Sequence, residues 1–132
     1  MVTLWHKGMT PERWASFPMD RQILMVASEF SRVQSLIGSV SPRAIRECYE
    51  RAMELLDLCT YDAKWTSRRR ELLRFREAMG DLYLADPPAR EDNLMFFKAL
   101  MEWHPVTARI PLGVSACVNT EGNRQWAIGS RR

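Results

Sequence analysis

Prolines at 18, 42, 87, 88 and 105 divide the central part of the chain into pieces of helical length. Within those pieces the apolar residues recur at three- and four-residue steps. A proline inside a helix removes a hydrogen bond and clashes with the preceding turn, so each proline marks a boundary. Such a chain is constrained to fold as separate helices that bury one apolar stripe apiece against one another.

Thr10-Pro11-Glu12 starts a short first helix, because the threonine hydroxyl caps a free amide and proline at the first position sacrifices no hydrogen bond. A second helix begins near Pro18 to Asp20. Ile23, Val26, Ala27, Phe30, Val33, Gln34 and Ile37 trace its inward stripe, with Gln34 the one polar member, and Gly38 is placed to stop it in the left-handed region. Ser41-Pro42 supplies a hydroxyl cap and a proline for the next helix, residues 42 to 59. Ile45, Cys48, Tyr49, Ala52, Met53, Leu55, Leu56 and Cys59 lie on its apolar side. Its other side offers Arg43/Glu47, Arg46/Glu50 and Glu47/Arg51 as opposite charges four apart, the pattern of a solvated face.

A third long helix is expected from Tyr61 or Ser67 to Ala85, with Trp65, Leu72, Phe75, Met79, Leu82 and Tyr83 inward. Gly80 weakens it unless a neighbouring helix approaches there. A fourth runs from Pro88 or Ala89 to Trp103, carried by Leu94, Phe97, Leu100 and Met101 and ended by Pro105. Short connections favour antiparallel neighbours. Beyond Pro105 the helical stripe is lost. Val114 to Val118 and Arg124 to Ile128 suit a hairpin across a glycine-containing loop. The fold class is therefore all-α: an antiparallel bundle of three to four main helices with a short N-terminal helix and an irregular or hairpin C-terminal tail. Residues 1–104 form the bundle domain and 105–132 the tail.

The 132 residues are 46% hydrophobic and 27% charged, the composition of one globular core. The longest apolar runs fall far short of the roughly 20 residues of a membrane-spanning helix. The first residues, with Trp5, His6 and Lys7, do not resemble a secretory signal, so a cytoplasmic location is expected. Cys48, Cys59 and Cys117 form no C-x-x-C pair and read as buried small hydrophobes rather than zinc ligands or a disulfide framework.

The strongest charge feature is Arg68-Arg69-Arg70, followed by Arg74 and Arg76. Residues 63–78 hold six basic side chains against two acidic ones, a net +4 that exceeds the +3 of the whole chain. A basic helical strip gains affinity for nucleic-acid phosphates by counterion release. Consecutive helical residues are about 100° apart, however, so the three arginines fan around the axis, and Arg68/Glu71 and Arg74/Glu77 can neutralise one another. Glu50, Glu54 and Asp57 at i, i+4 and i+7 share one face, which suits a metal or proton transfer only if burial raises a pKa. Neither His6 nor His104 has the Glu-x-x-His spacing of a helical metal site, and His104 sits where a helix C-terminus favours a cation. No nucleophile elbow, phosphate loop or dinucleotide fingerprint is present, so no catalytic residue, metal or cofactor is assigned.

Five tryptophans and eight methionines remain. Aromatic residues and methionine are enriched at interfaces, and Met95 and Phe96 lie beside the inward stripe of the fourth helix, which makes it apolar over much of its circumference. Trp126 is the residue through which the tail would dock. The expected function is a non-enzymatic protein interaction or assembly module that self-associates through Met95, Phe96 and Trp126. The alternative is an accessory nucleic-acid binder using Arg68, Arg69, Arg70, Arg74 and Arg76.

Overall fold

The computed structural model describes residues 4–38, 42–85 and 87–111 in full, and the backbone alone of 114–118 and 124–128. The helical body is all-α. Its elements are α1 (Pro11–Ala15), α2 (Met19–Leu36), α3 (Pro42–Cys59), a 3-10 segment over Ala63–Arg68, α4 (Arg69–Leu84), α5 (Arg90–Met101) and α6 (Pro105–Ala108). Strands β1 (Val114–Val118) and β2 (Arg124–Ile128) follow. They pair antiparallel, with Ala116 opposite Trp126 and Val114 opposite Ile128.

Local chemistry sets most of these limits. The Thr10 hydroxyl accepts the Arg13 N–H at 3.1 Å, and Pro11 occupies the first turn of α1. Gly38 takes φ +88° just beyond α2, a left-handed conformation that costs other residues about 1–2 kcal/mol. The hydroxyl cap expected from Ser41 lies outside the described residues. The third helix does not start as one α-helix. Asp62 caps a 3-10 segment by accepting the Lys64 N–H at 3.1 Å, and that tighter winding seats Trp65 in the core before α4 begins at Arg69. At the far end, α5 stops at Met101, short of Trp103. Pro105 has no N–H to offer the Met101 carbonyl, and the Thr107 hydroxyl donates to it instead at 2.6 Å. Helical structure then resumes beyond residue 104, with Pro105 in the first turn of α6. His104 is the N-cap of that helix, its Nδ1 accepting the Val106 N–H at 3.1 Å, so it opens α6 instead of closing α5 as its position suggested.

α2 is the central helix. It packs on α3, α5 and α6, and its neighbour α3 also carries α1 and α4. The inward stripes meet as anticipated: Ile23, Val26, Ala27, Phe30 and Val33 of α2 bury against Ile45, Cys48, Tyr49, Ala52, Leu55 and Leu56 of α3. An aromatic cluster closes the side toward α4 and α5. Phe30 meets Tyr49, Phe75 and Phe96, and Trp103 bridges Phe75 and Trp65 with centroids 5.1 and 5.7 Å away.

Two buried amides lock the helices in register. Asn93 of α5 accepts the Tyr49 hydroxyl at 2.8 Å and donates to the Phe30 carbonyl at 2.9 Å and to Gln34 Oε1 at 2.7 Å. Gln22 of α2 donates to the Trp14 carbonyl at 2.8 Å and to Asp62 Oδ2 at 2.9 Å, and accepts Trp65 Nε1–H at 2.8 Å. Both are wholly buried, and an unpaired buried polar group costs about 1–3 kcal/mol, so these partners are specific to this packing. Arg90 at the start of α5 donates to the Gln34 and Ile37 carbonyls and satisfies the C-terminal end of α2. No helix among the described residues is long and apolar enough to cross a membrane.

Candidate functional site

Helical geometry places Glu50, Glu54 and Asp57 on one face of α3, and that face is not the solvated one expected. Each carboxylate holds a distant partner. The Tyr83 hydroxyl donates to Glu50 at 2.5 Å, and Arg76 donates to both oxygens of Asp57 at 3.0 and 3.3 Å. Glu54 accepts the backbone N–H of Leu4, of Trp5 at 3.1 Å and of His6 at 2.9 Å, and lies 2.6 Å from His6 Nδ1. Burial opposes its ionisation, but the hydrogen bonds from His6, Trp5 and Leu4 outweigh it and hold the carboxyl below its ordinary range. Among the described residues no group of three His, Cys, Asp or Glu side chains is arranged to hold a metal.

Of the ion pairs expected along α3, only Arg43–Glu47 forms, at 3.1 Å. Glu50 goes to Tyr83. Arg51 turns inward, where its Nε meets the buried Glu29 carboxylate at 3.2 Å and its Nη2 donates to Cys48 Sγ at 3.2 Å. A carboxylate withdrawn from water gains more from a charged partner than a solvated glutamate does, so Glu29 outcompetes Glu47. The two described cysteines are buried. Burial raises the Cys48 thiol despite Arg51, and pushes Cys59, which accepts Trp14 Nε1–H at 3.4 Å, up to about 12. Neither is a ready nucleophile.

The arginine cluster is divided by the fold. Arg76 belongs to Asp57, and Arg69 donates to the Thr60 carbonyl at 3.1 Å. Arg70 and Arg74 are exposed one turn apart on α4. The Arg68/Glu71 and Arg74/Glu77 pairs do not form. The basic surface presented to solvent is thus narrower than the linear count suggested.

The apolar candidates separate as well. Phe96 is half-buried, stacked on Phe30 at 6.2 Å and edge-on to Phe75 at 5.1 Å, so its ring serves the aromatic cluster. Met95 is 61% exposed. Trp126 falls on β2, and its side chain lies outside the described residues. A surface not anticipated from the sequence lies on α4, where Leu73 and Leu84 are 45% and 80% exposed. They are eleven residues apart, about three turns, and so share a face. Gly80 lies on the same face, and a Cβ built there meets nothing within 4 Å among the described residues. The close approach of a helix that this glycine permits is therefore not made by any described helix. No family model, curated protein or solved structure matches this chain.

The signal for the α4 face was present in the sequence. Leu73 and Leu84 fall off the stripe of Leu72, Phe75, Met79 and Leu82, on the opposite side of the helix.

Proposed function

We propose that the protein is a non-enzymatic assembly module that self-associates through the exposed face of α4, with Met95 of α5 as a further apolar contact. The observation that carries this reading is the open Leu73–Gly80–Leu84 face. A helix-interior glycine costs up to about 1 kcal/mol relative to alanine, and none of the described residues uses the space it leaves. A leucine on either side of a backbone-accessible glycine suits a second copy of the same helix, since a two-fold contact presents the same patch from both chains.

The test is the molecular mass in solution, by light scattering or sedimentation, of the wild type and of Leu84→Glu and Gly80→Leu. The wild type is expected to be dimeric and both variants monomeric, with the helical circular dichroism signal retained. A wild type that stays monomeric at high concentration overturns the proposal. Exposed Arg70 and Arg74 favour a second reading, contact with nucleic-acid phosphates. That contact would weaken steeply with salt, whereas apolar association persists.

A further inference from the structure

Residues 4–9, which precede α1, do not extend away from the body. They cross α3 near Glu54, 48 to 50 positions further along the chain, and that one carboxylate gathers the N–H groups of three consecutive residues, Leu4, Trp5 and His6, as well as the His6 ring. The Arg51 guanidinium lies 5.6 Å from the centre of the Trp5 ring, and Arg51 is itself fixed to Glu29 and Cys48. Behind this contact the chain turns back. The Met9 N–H donates to the His6 carbonyl at 2.9 Å, Gly8 takes φ +82°, and Thr10 caps α1. A Cβ at Gly8 would meet nothing within 4 Å, so glycine is required there by the backbone angle alone.

Two open surface hollows flank the crossing. One, of about 300 Å³, is lined by Leu4 and Trp5 together with Met53, Glu54, Asp57 and Arg76. The other, of about 270 Å³, is lined by His6 together with Met25, Glu29, Arg32, Arg51 and Leu55. Successive residues of the segment thus border two open hollows on either side of α3. Glu54 alone takes the N–H groups of Leu4, Trp5 and His6, whereas Met9, just beyond Gly8, packs against the hydrophobic core and anchors the end of the segment.

We propose that residues 4–7 are a detachable strap that closes a groove along α3, latched by Glu54 and turning about Gly8, with Met9 remaining seated on the core. Lifting it joins the two hollows and bares Glu54, Arg51 and Met53 without disturbing the α2–α3 core. Such a strap is an element of low local stability whose opening does not require global unfolding. It is independent of the α4 face proposed for self-association.

Lys7 is exposed within the strap and provides the probe. Trypsin needs several residues of extended chain around its cleavage site, so cutting after Lys7 reports the open state. Brief digestion of the full chain, followed by intact mass measurement, is expected to release residues 1–7 about tenfold or more faster from Glu54→Ala than from wild type, since charge-assisted hydrogen bonds are lost. The thermal unfolding midpoint of the variant should stay within a few degrees of wild type. Equal cleavage rates overturn the latch. Should the variant fail to fold, amide hydrogen exchange on the wild type decides. Leu4, Trp5 and His6 are expected to exchange more slowly than free peptide but much faster than the central amides of α3. Exchange as slow as α3 would make the segment a permanent part of the core, and exchange at the free-peptide rate would mean that it is not latched; either result overturns the proposal.

Discussion

Asn93→Asp is the sharpest available probe of how the helices are held in register, because it changes hydrogen-bond chemistry at nearly constant volume. The Tyr49 hydroxyl can still donate to one oxygen. The other oxygen replaces an amide that gives its two protons to the Phe30 carbonyl and Gln34 Oε1, so two acceptors now face a third. An ionised carboxylate there is buried, repelled by both acceptors and without a cation among those partners. The folded-state pKa of the new acid must therefore rise. A rise of about 3 above the unfolded value of roughly 3.9 corresponds to about 4 kcal/mol lost once the pH exceeds the folded value. Between the two values the folded state holds a proton that the unfolded state has released, so stability falls as pH rises through that window. At pH 4 the neutral acid can donate one hydrogen bond, and only about 1–2 kcal/mol should be missing. Urea unfolding of wild type and variant at pH 4 and pH 7 measures both losses, with the wild-type pH dependence subtracted. A loss at pH 7 below about 1 kcal/mol, or equal losses at the two pH values, would refute the claim that Asn93 is a desolvated, fully committed donor.

Phe96→Ala should cost about 2–3 kcal/mol, at the low end for an aromatic because the ring is half-buried, whereas Met95→Ala should change stability by less than about 0.5 kcal/mol. Thermal melts of the two variants at a concentration where the protein is monomeric check this, and comparable shifts would mean that the two faces of α5 are wrongly assigned. Cys59, wholly buried and with its thiol pushed up to about 12, should resist a thiol reagent at pH 8 in the folded protein and react fully in urea. Rapid reaction without denaturant would contradict its burial.

The boundaries of the first three helices and the side of each long helix that turns inward were legible in the sequence, because both follow from local rules, whereas the 3-10 start before α4, the end of α5 at Met101 and the short α6 were not. Proline cannot sit in a helix interior, glycine alone enters the left-handed region cheaply, and a 3.6-residue period needs no knowledge of what lies opposite. Hence α3 runs from Pro42 to Cys59 as its spacing predicts, Thr10 caps α1, and Gly38 follows α2 with positive φ. Partner choice among polar residues was decided only by tertiary structure. Nothing around Gln22 distinguishes it from a surface residue, yet it is wholly buried and joins α1, α2 and the 3-10 segment. Arg51 has Glu47 four residues away and pairs with Glu29, and Glu54 faces no helical cation but the backbone of Leu4 to His6. The reason is one of dielectric and distance. Neighbours along a solvated helix are worth a few tenths of a kcal/mol, while a group withdrawn from water must be paired by whatever the fold brings within about 3 Å, however far away it lies in the chain.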